Sequence, residues 1–129
     1  MKVEIRNKIL VDGQAELFHE VHAAQMRDKG DYTYLIYHNE EQEKVVLKFN
    51  AQELTMTRFA SPQTVMRFQV DDLALARIPS PLGNQGLVTR TKQFVLGQND
   101  LFLAYDLLPF AEAKEVFASY ELTIKWFEK

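Results

Sequence analysis

Between Ile78 and Leu108 a corner built on Pro and Gly feeds two strand-like runs joined by a short polar turn, and no other stretch limits the fold so strongly. Ser80-Pro81-Leu82-Gly83 reads as a tight corner, because Pro holds φ and lacks an amide hydrogen while Gly accepts backbone angles that other residues resist. Leu87 to Leu96 and Leu101 to Leu108 then flank the turn Gly97-Gln98-Asn99-Asp100. In the second run Leu101, Leu103, Tyr105 and Leu107 share one face, the period of two that a strand imposes. Phe102, Ala104 and Leu108 make the other face apolar too, more than a strand with one wet side requires.

The same alternation extends along the chain. Val3, Ile5 and Ile9 oppose Glu4, Arg6 and Lys8, with Asn7 breaking the apolar row, and Asp12-Gly13 is a hairpin-turn dipeptide. Gln14 to Lys29 is ambiguous. Leu17, Val21, Ala24 and Met26 fit a helix ended by Gly30, and the run taken alone predicts helix; as the second arm of a hairpin it becomes a long strand with a break near Ala23-Ala24. Strands are predicted over Tyr32 to His38, Val45 to Phe49, Leu54 to Phe59, Val65 to Val70 and Leu73 to Ile78, with Ala60-Ser61-Pro62 ending the third of these. After Pro109, the segment FAEAKEVFA predicts a helical turn or two, and Tyr120 to Phe127 closes the chain with its cleanest alternation.

About eight to ten short strands with short turns, and no gap where a second domain begins, predict one all-β domain over residues 1–129. Sequential hairpins favour an antiparallel up-and-down meander barrel, which also removes exposed sheet edges. A net charge of −3 argues against a nucleic-acid partner. The absence of cysteine excludes disulfides and thiolate chemistry. MKVEIRNKILVDG has neither the apolar core of a signal peptide nor the length of a membrane span, so a cytoplasmic protein without membrane contact is expected.

TYLIYHNE at 33–40, ELTMTRF at 53–59, PSPLG at 79–83, TRTK at 89–92, LFLAYDL at 101–107 and YELTIKW at 120–126 follow one another in an order that resembles the YwiB-like bacterial proteins. These are small cytoplasmic barrels of unknown function, described as calycin-like or lipocalin-like. The resemblance covers nearly the whole chain and implies a calycin-like barrel. It implies no site residues, and binding of a small apolar molecule follows only by analogy with other calycins. The chain lacks the Gly-x-Trp of lipocalins near its N-terminus, its single Trp being Trp126.

Closing such a sheet turns one face of every strand inward, and at roughly eight strands the interior is either just filled or holds one small ligand. With Arg90 and Lys92 outward, Thr89, Thr91 and Gln93 are expected to form a polar row inside. Arg58 is in phase with Leu54 and Met56, so its guanidinium is a candidate to hold a ligand carboxylate with help from Tyr34 or Tyr105. The competing expectation puts Arg58 at the rim, or turned to solvent by a bulge near Pro62.

His19 and His22 face opposite sides of a strand, so neither a metal nor any other cofactor is expected. Ser61 and Ser80 lie in no nucleophile context, and no enzyme is expected. Residues 90–94 with Tyr32, Tyr34 and Tyr37 suit a solvated strand face and a barrel wall better than a platform for single-stranded nucleic acid. Two functions remain: a non-enzymatic barrel binding a small, largely apolar, carboxylate-bearing ligand, or an interaction or self-association module, such as a homodimer, with a filled interior and the apolar faces of Leu101 to Leu108 at work.

Overall fold

The computed structural model describes residues 1–81 and 83–128 and shows ten antiparallel strands. They are β1 (Lys2–Val11), β2 (Gln14–Lys29), β3 (Tyr32–His38), β4 (Lys44–Phe49), β5 (Glu53–Phe59), β6 (Thr64–Gln69), β7 (Leu73–Ser80), β8 (Gly83–Leu96), β9 (Asp100–Leu108) and β10 (Ala118–Phe127). Each pairs with its neighbours in sequence, and β10 closes the ring on β1, from Lys2↔Phe127 to Leu10↔Ser119. The chain is thus an all-β meander barrel. Its turns alternate between two ends, a lower one holding the chain's N-terminus and an upper one beginning at Asp12-Gly13.

Local chemistry explains the turns. Asp12 (φ 50) and Gly13 (φ 77) both take the left-handed conformation, the two-residue turn whose twist matches its flanking strands. Asn39 Oδ1 accepts the amides of Glu41 and Glu43 at 2.9 and 3.0 Å, and Asn50 Oδ1 accepts those of Gln52 and Glu53 at the same distances. At the Ser80 to Gly83 corner the end residues pair directly, while Leu82 lies outside the described residues.

Gln14 to Lys29 is strand throughout. The apolar residues that suggest a helix fall on two faces of it: Val21 opposes the outward Glu4, and Leu17 opposes Lys8, while Ala24 and Met26 oppose the buried Tyr37 and Leu35. The break near Ala23-Ala24 is a change of partner, since Gln14 to Ala23 pair with β1 and Ala24 to Lys29 with β3. FAEAKEVFA forms bends and turns rather than a helix. Phe110, Val116 and Phe117 are exposed, so no buried apolar stripe supports so short a helix.

The lower half of the interior is packed. Val3, Leu35, Phe49, Leu54, Phe68 and Leu101 are within 2% of complete burial, and Phe49 meets Trp126 with ring centroids 5.4 Å apart. Both faces of β9 are covered. Leu101, Leu103, Tyr105 and Leu107 point into the barrel, whereas on the outside Ala104 and Leu108 are buried and Asp106 is roofed by its partners on β8 and β10.

Candidate functional site

The upper half of the interior is open. A cavity of about 350 Å³ lies there, walled by apolar side chains that include Ile5, Leu47, Met56, Met66, Leu107 and Ile124. The meander brings these together because each wall residue is on the inward phase of its strand. Asn7, Glu20, Tyr37, Tyr105 and Tyr120 complete its lining. Among the described residues that line it there is no Lys, Arg or His.

The tyrosines are held by ring packing. Tyr105 stacks on Tyr120 with centroids 4.6 Å apart and planes 7° from parallel, and it tilts against Phe68 at 4.5 Å. Tyr37 stacks under His22 at 5.3 Å. No side chain among the described residues bonds the hydroxyl of Tyr37, Tyr105 or Tyr120. Burial raises the pKa of all three, with the Glu20 carboxylate adding to the effect at Tyr37 and Tyr120 adding to it at Tyr105. They therefore stay protonated, able to donate and to accept.

Asn7 and Glu20 set the polarity. Asn7 Oδ1 is buried and has no hydrogen-bond partner. Glu20 sits diagonally from Asn7 on the same face, since it pairs with Ile5 while Phe18 pairs with Asn7. Its Oε1 lies 2.9 Å from His22 Nε2. The chamber thus offers acceptors and one carboxylate at its polar edge, with apolar walls elsewhere.

Of the residues expected from the sequence to hold a ligand, Tyr105 alone lines this cavity. Arg58 keeps its inward phase but stands at the upper rim, its side chain 43% exposed, with Nη2 donating to Thr64 Oγ1 at 3.2 Å and Nε 3.8 Å from Glu43. Tyr34 lies on the outer face, because its neighbours Leu35 and Tyr37's ring face in; it cannot assist Arg58 there. Thr89 is buried and inward, yet its hydroxyl donates to the Arg67 carbonyl at 2.6 Å. Pairing of β6 with β7 stops at Met66↔Ala76, so Thr89 satisfies a carbonyl that the ladder leaves behind.

Thr91 is also inward, its hydroxyl buried without a partner, but away from the cavity wall. Gln93 corrects the expected polar row. A β-bulge between Thr91 and Gln93 reverses the phase, Gln93 pairs with the outer-face Ala104 and is exposed, and Phe94 turns inward in its place. The bulge is invisible to a strict period of two. Asn7 was signalled by its break in an apolar row and Tyr37 by its place in a predicted strand, whereas Glu20 and His22 were hidden by the helix or strand ambiguity of their neighbourhood.

Other polar groups serve elsewhere. His19 Nε2 meets Glu4 Oε2 at 2.8 Å on the outside while His22 faces in, and no group of three metal-ligating side chains occurs among the described residues. Asp106 accepts from Arg90 at 2.7 Å and Ser119 at 2.8 Å, with Lys92 at 3.0 Å. Burial pushes its pKa up, but these partners outweigh it and the net shift is downward. A larger depression of about 810 Å³, bordered by Arg27, His38 and Lys44, lies where β2 changes partner and is open to solvent. No helix among the described residues is long and apolar enough to cross a membrane.

Residues 3–124 match the sequence profile of a domain of unknown function, DUF1934. No curated protein matches the chain. The crystal structure of the YwiB protein from Bacillus subtilis is similar over 98% of this chain and 91% of its own, with a TM-score of 0.75 and 19% identity. At that identity the likeness is one of fold.

Proposed function

The chain belongs to the DUF1934 family, whose function is unknown, and from that premise we propose that it binds a small, largely apolar molecule carrying a hydrogen-bond-donating head group, such as an amine or an alcohol. The observation behind this reading is the buried, unpartnered oxygen of Asn7 beside Glu20 in a chamber whose other polar groups are three tyrosine hydroxyls. An unmet buried acceptor costs free energy, and a donor from a ligand recovers it. A volume of about 350 Å³ lies at the small end of ligand pockets.

The head group follows from charge. A carboxylate entering this chamber meets Glu20 and finds no cation on the wall, since Arg58 is engaged at the rim. A donor head group is therefore favoured over the carboxylate expected from Arg58. An interaction module with a filled interior is the weaker reading, because the upper half holds space.

Thermal shift and native mass spectrometry with matched alkyl amines, alcohols and fatty acids test the proposal. Amines and alcohols bind and raise Tm, fatty acids do not, and Glu20→Gln weakens amines more than alcohols. Selective binding of the fatty acids overturns the head-group assignment. Binding of none of the three overturns the ligand reading.

A further inference from the structure

We infer that the free edge of β2 pairs with the same edge of a second copy, joining two barrels through an antiparallel β2–β2 ladder centred on His19. β2 pairs with β1 through Gln14 to Ala23 and meets β3 only from Ala24 onward, so its first ten residues have no strand on their second side. The amide of Ala24 donates to the Met1 carbonyl at 2.9 Å, which aims the even-numbered backbone groups at β1. The N–H and C=O groups of Ala15, Leu17, His19 and Val21 therefore point away from β1, where no strand among the described residues receives them.

Such an edge is a template for another strand, and proteins usually blunt it with Lys, Pro or a bulge. This one has none: from Gln14 to Met26 there is no Lys, Arg or Pro, and the pairing with β1 is regular. It carries three exposed apolar side chains, Leu17 at 78%, Phe18 at 50% and Val21 at 45%. An edge with exposed apolar side chains on its outer face and carboxylates and imidazoles on its inner one fits a partner strand of complementary pattern.

The order of residues identifies that strand as a second copy. A two-fold axis through His19 sets Leu17 against the partner's Val21 on the outer face and Glu16 against the partner's His22 on the inner face, with Ala15 against the partner's Ala23. Moving the axis to Phe18 opposes Glu16 to the partner's Glu20, a like-charge pair. Moving it to Glu20 leaves Glu16 facing an alanine. Of these three registers the His19 one alone sets apolar against apolar outside and a carboxylate against an imidazole inside, with Phe18 against the partner's Glu20 as its one mismatch, and each His19 there remains tethered to its own Glu4 at 2.8 Å.

Sedimentation velocity and cross-linking of the full chain test this. The wild-type protein sediments as a dimer of the 15.0 kDa chain at micromolar to submillimolar concentration. Leu17→Lys with Val21→Lys raises its dissociation constant by about a hundredfold or more, since the axis places each substitution in the interface twice. Both side chains are exposed in the single barrel, so circular dichroism stays unchanged, and the urea midpoints of the two proteins coincide once both are diluted below the wild-type dissociation constant.

The chain has no cysteine, so a single thiol reports the register. His19→Cys joins efficiently through a short bifunctional maleimide, the two α-carbons lying about 5.5 Å apart, whereas Leu17→Cys or Val21→Cys sits about 14 Å from its copy and joins poorly. A wild-type monomer, a dimer indifferent to the two lysines, or equal cross-linking at all three positions overturns the inference.

Discussion

Replacing Asn7 with leucine tests the chamber without requiring that its ligand be known. Asn7 Oδ1 is buried with no partner, and leaving such a group unmet costs about 1–3 kcal/mol. Leucine has a similar size and removes the polar atom, so Asn7→Leu stabilises the empty barrel by about the same amount. For 129 residues the entropy of unfolding near the transition is about 270 cal/mol/K, so Tm rises by about 4–11 °C. Calorimetry and urea unfolding of ligand-free protein read the change directly. The same substitution abolishes the extra stabilisation that a bound amine gives, a gain in stability at the expense of function. An unchanged or lower Tm would show that the Asn7 oxygen is already satisfied, or that the wall cannot take an apolar side chain, and the reasoning behind the binding site would fail.

The other consequences concern stability. Thr89→Val keeps the shape but strips the Arg67 carbonyl of its donor, and costs about 1–3 kcal/mol by urea titration while leaving ligand binding intact. Gln93→Ala, on the exposed side of the bulge, changes stability by less than about 0.5 kcal/mol. Leu35→Ala, in the packed lower half, costs about 2–5 kcal/mol, and Met56→Ala, already bordering open space, costs distinctly less in the same assay. Asp106 has a lowered pKa in the folded state, so its contribution is present above the unfolded value and is lost as pH falls through the folded one. The urea midpoint of the wild type therefore falls more steeply below about pH 4 than that of Asp106→Asn, which is the less stable protein at neutral pH.

Much of the barrel was legible in the chain because strands and turns write themselves locally. Side chains alternate along a strand whatever its partner, so Leu122, Ile124 and Trp126 were readable as an inner face, and Asp12-Gly13, Gly30-Asp31 and Pro62 marked turns by their own backbone preferences. Inward polarity was harder to read. The row from Thr89 to Gln93 was half right: Thr89 and Thr91 do face in, but the bulge turns Gln93 out, and the Thr89 hydroxyl serves the backbone instead of a cavity. A bulge is a mismatch between two strands, and one strand's sequence does not carry it.

The amino-acid sequence by itself determined the all-β class, the strand positions outside Gln14 to Lys29 and the absence of thiol chemistry, since each depends on one residue and its near neighbours. Tertiary structure decided whether Gln14 to Lys29 would be helix or strand, where β2 exchanges β1 for β3, and which half of the barrel stays open. These are set by pairings between residues far apart in the chain. Asn7, Glu20, Tyr37, Tyr105 and Tyr120 become one site only when the ring closes and its register places them at the same height.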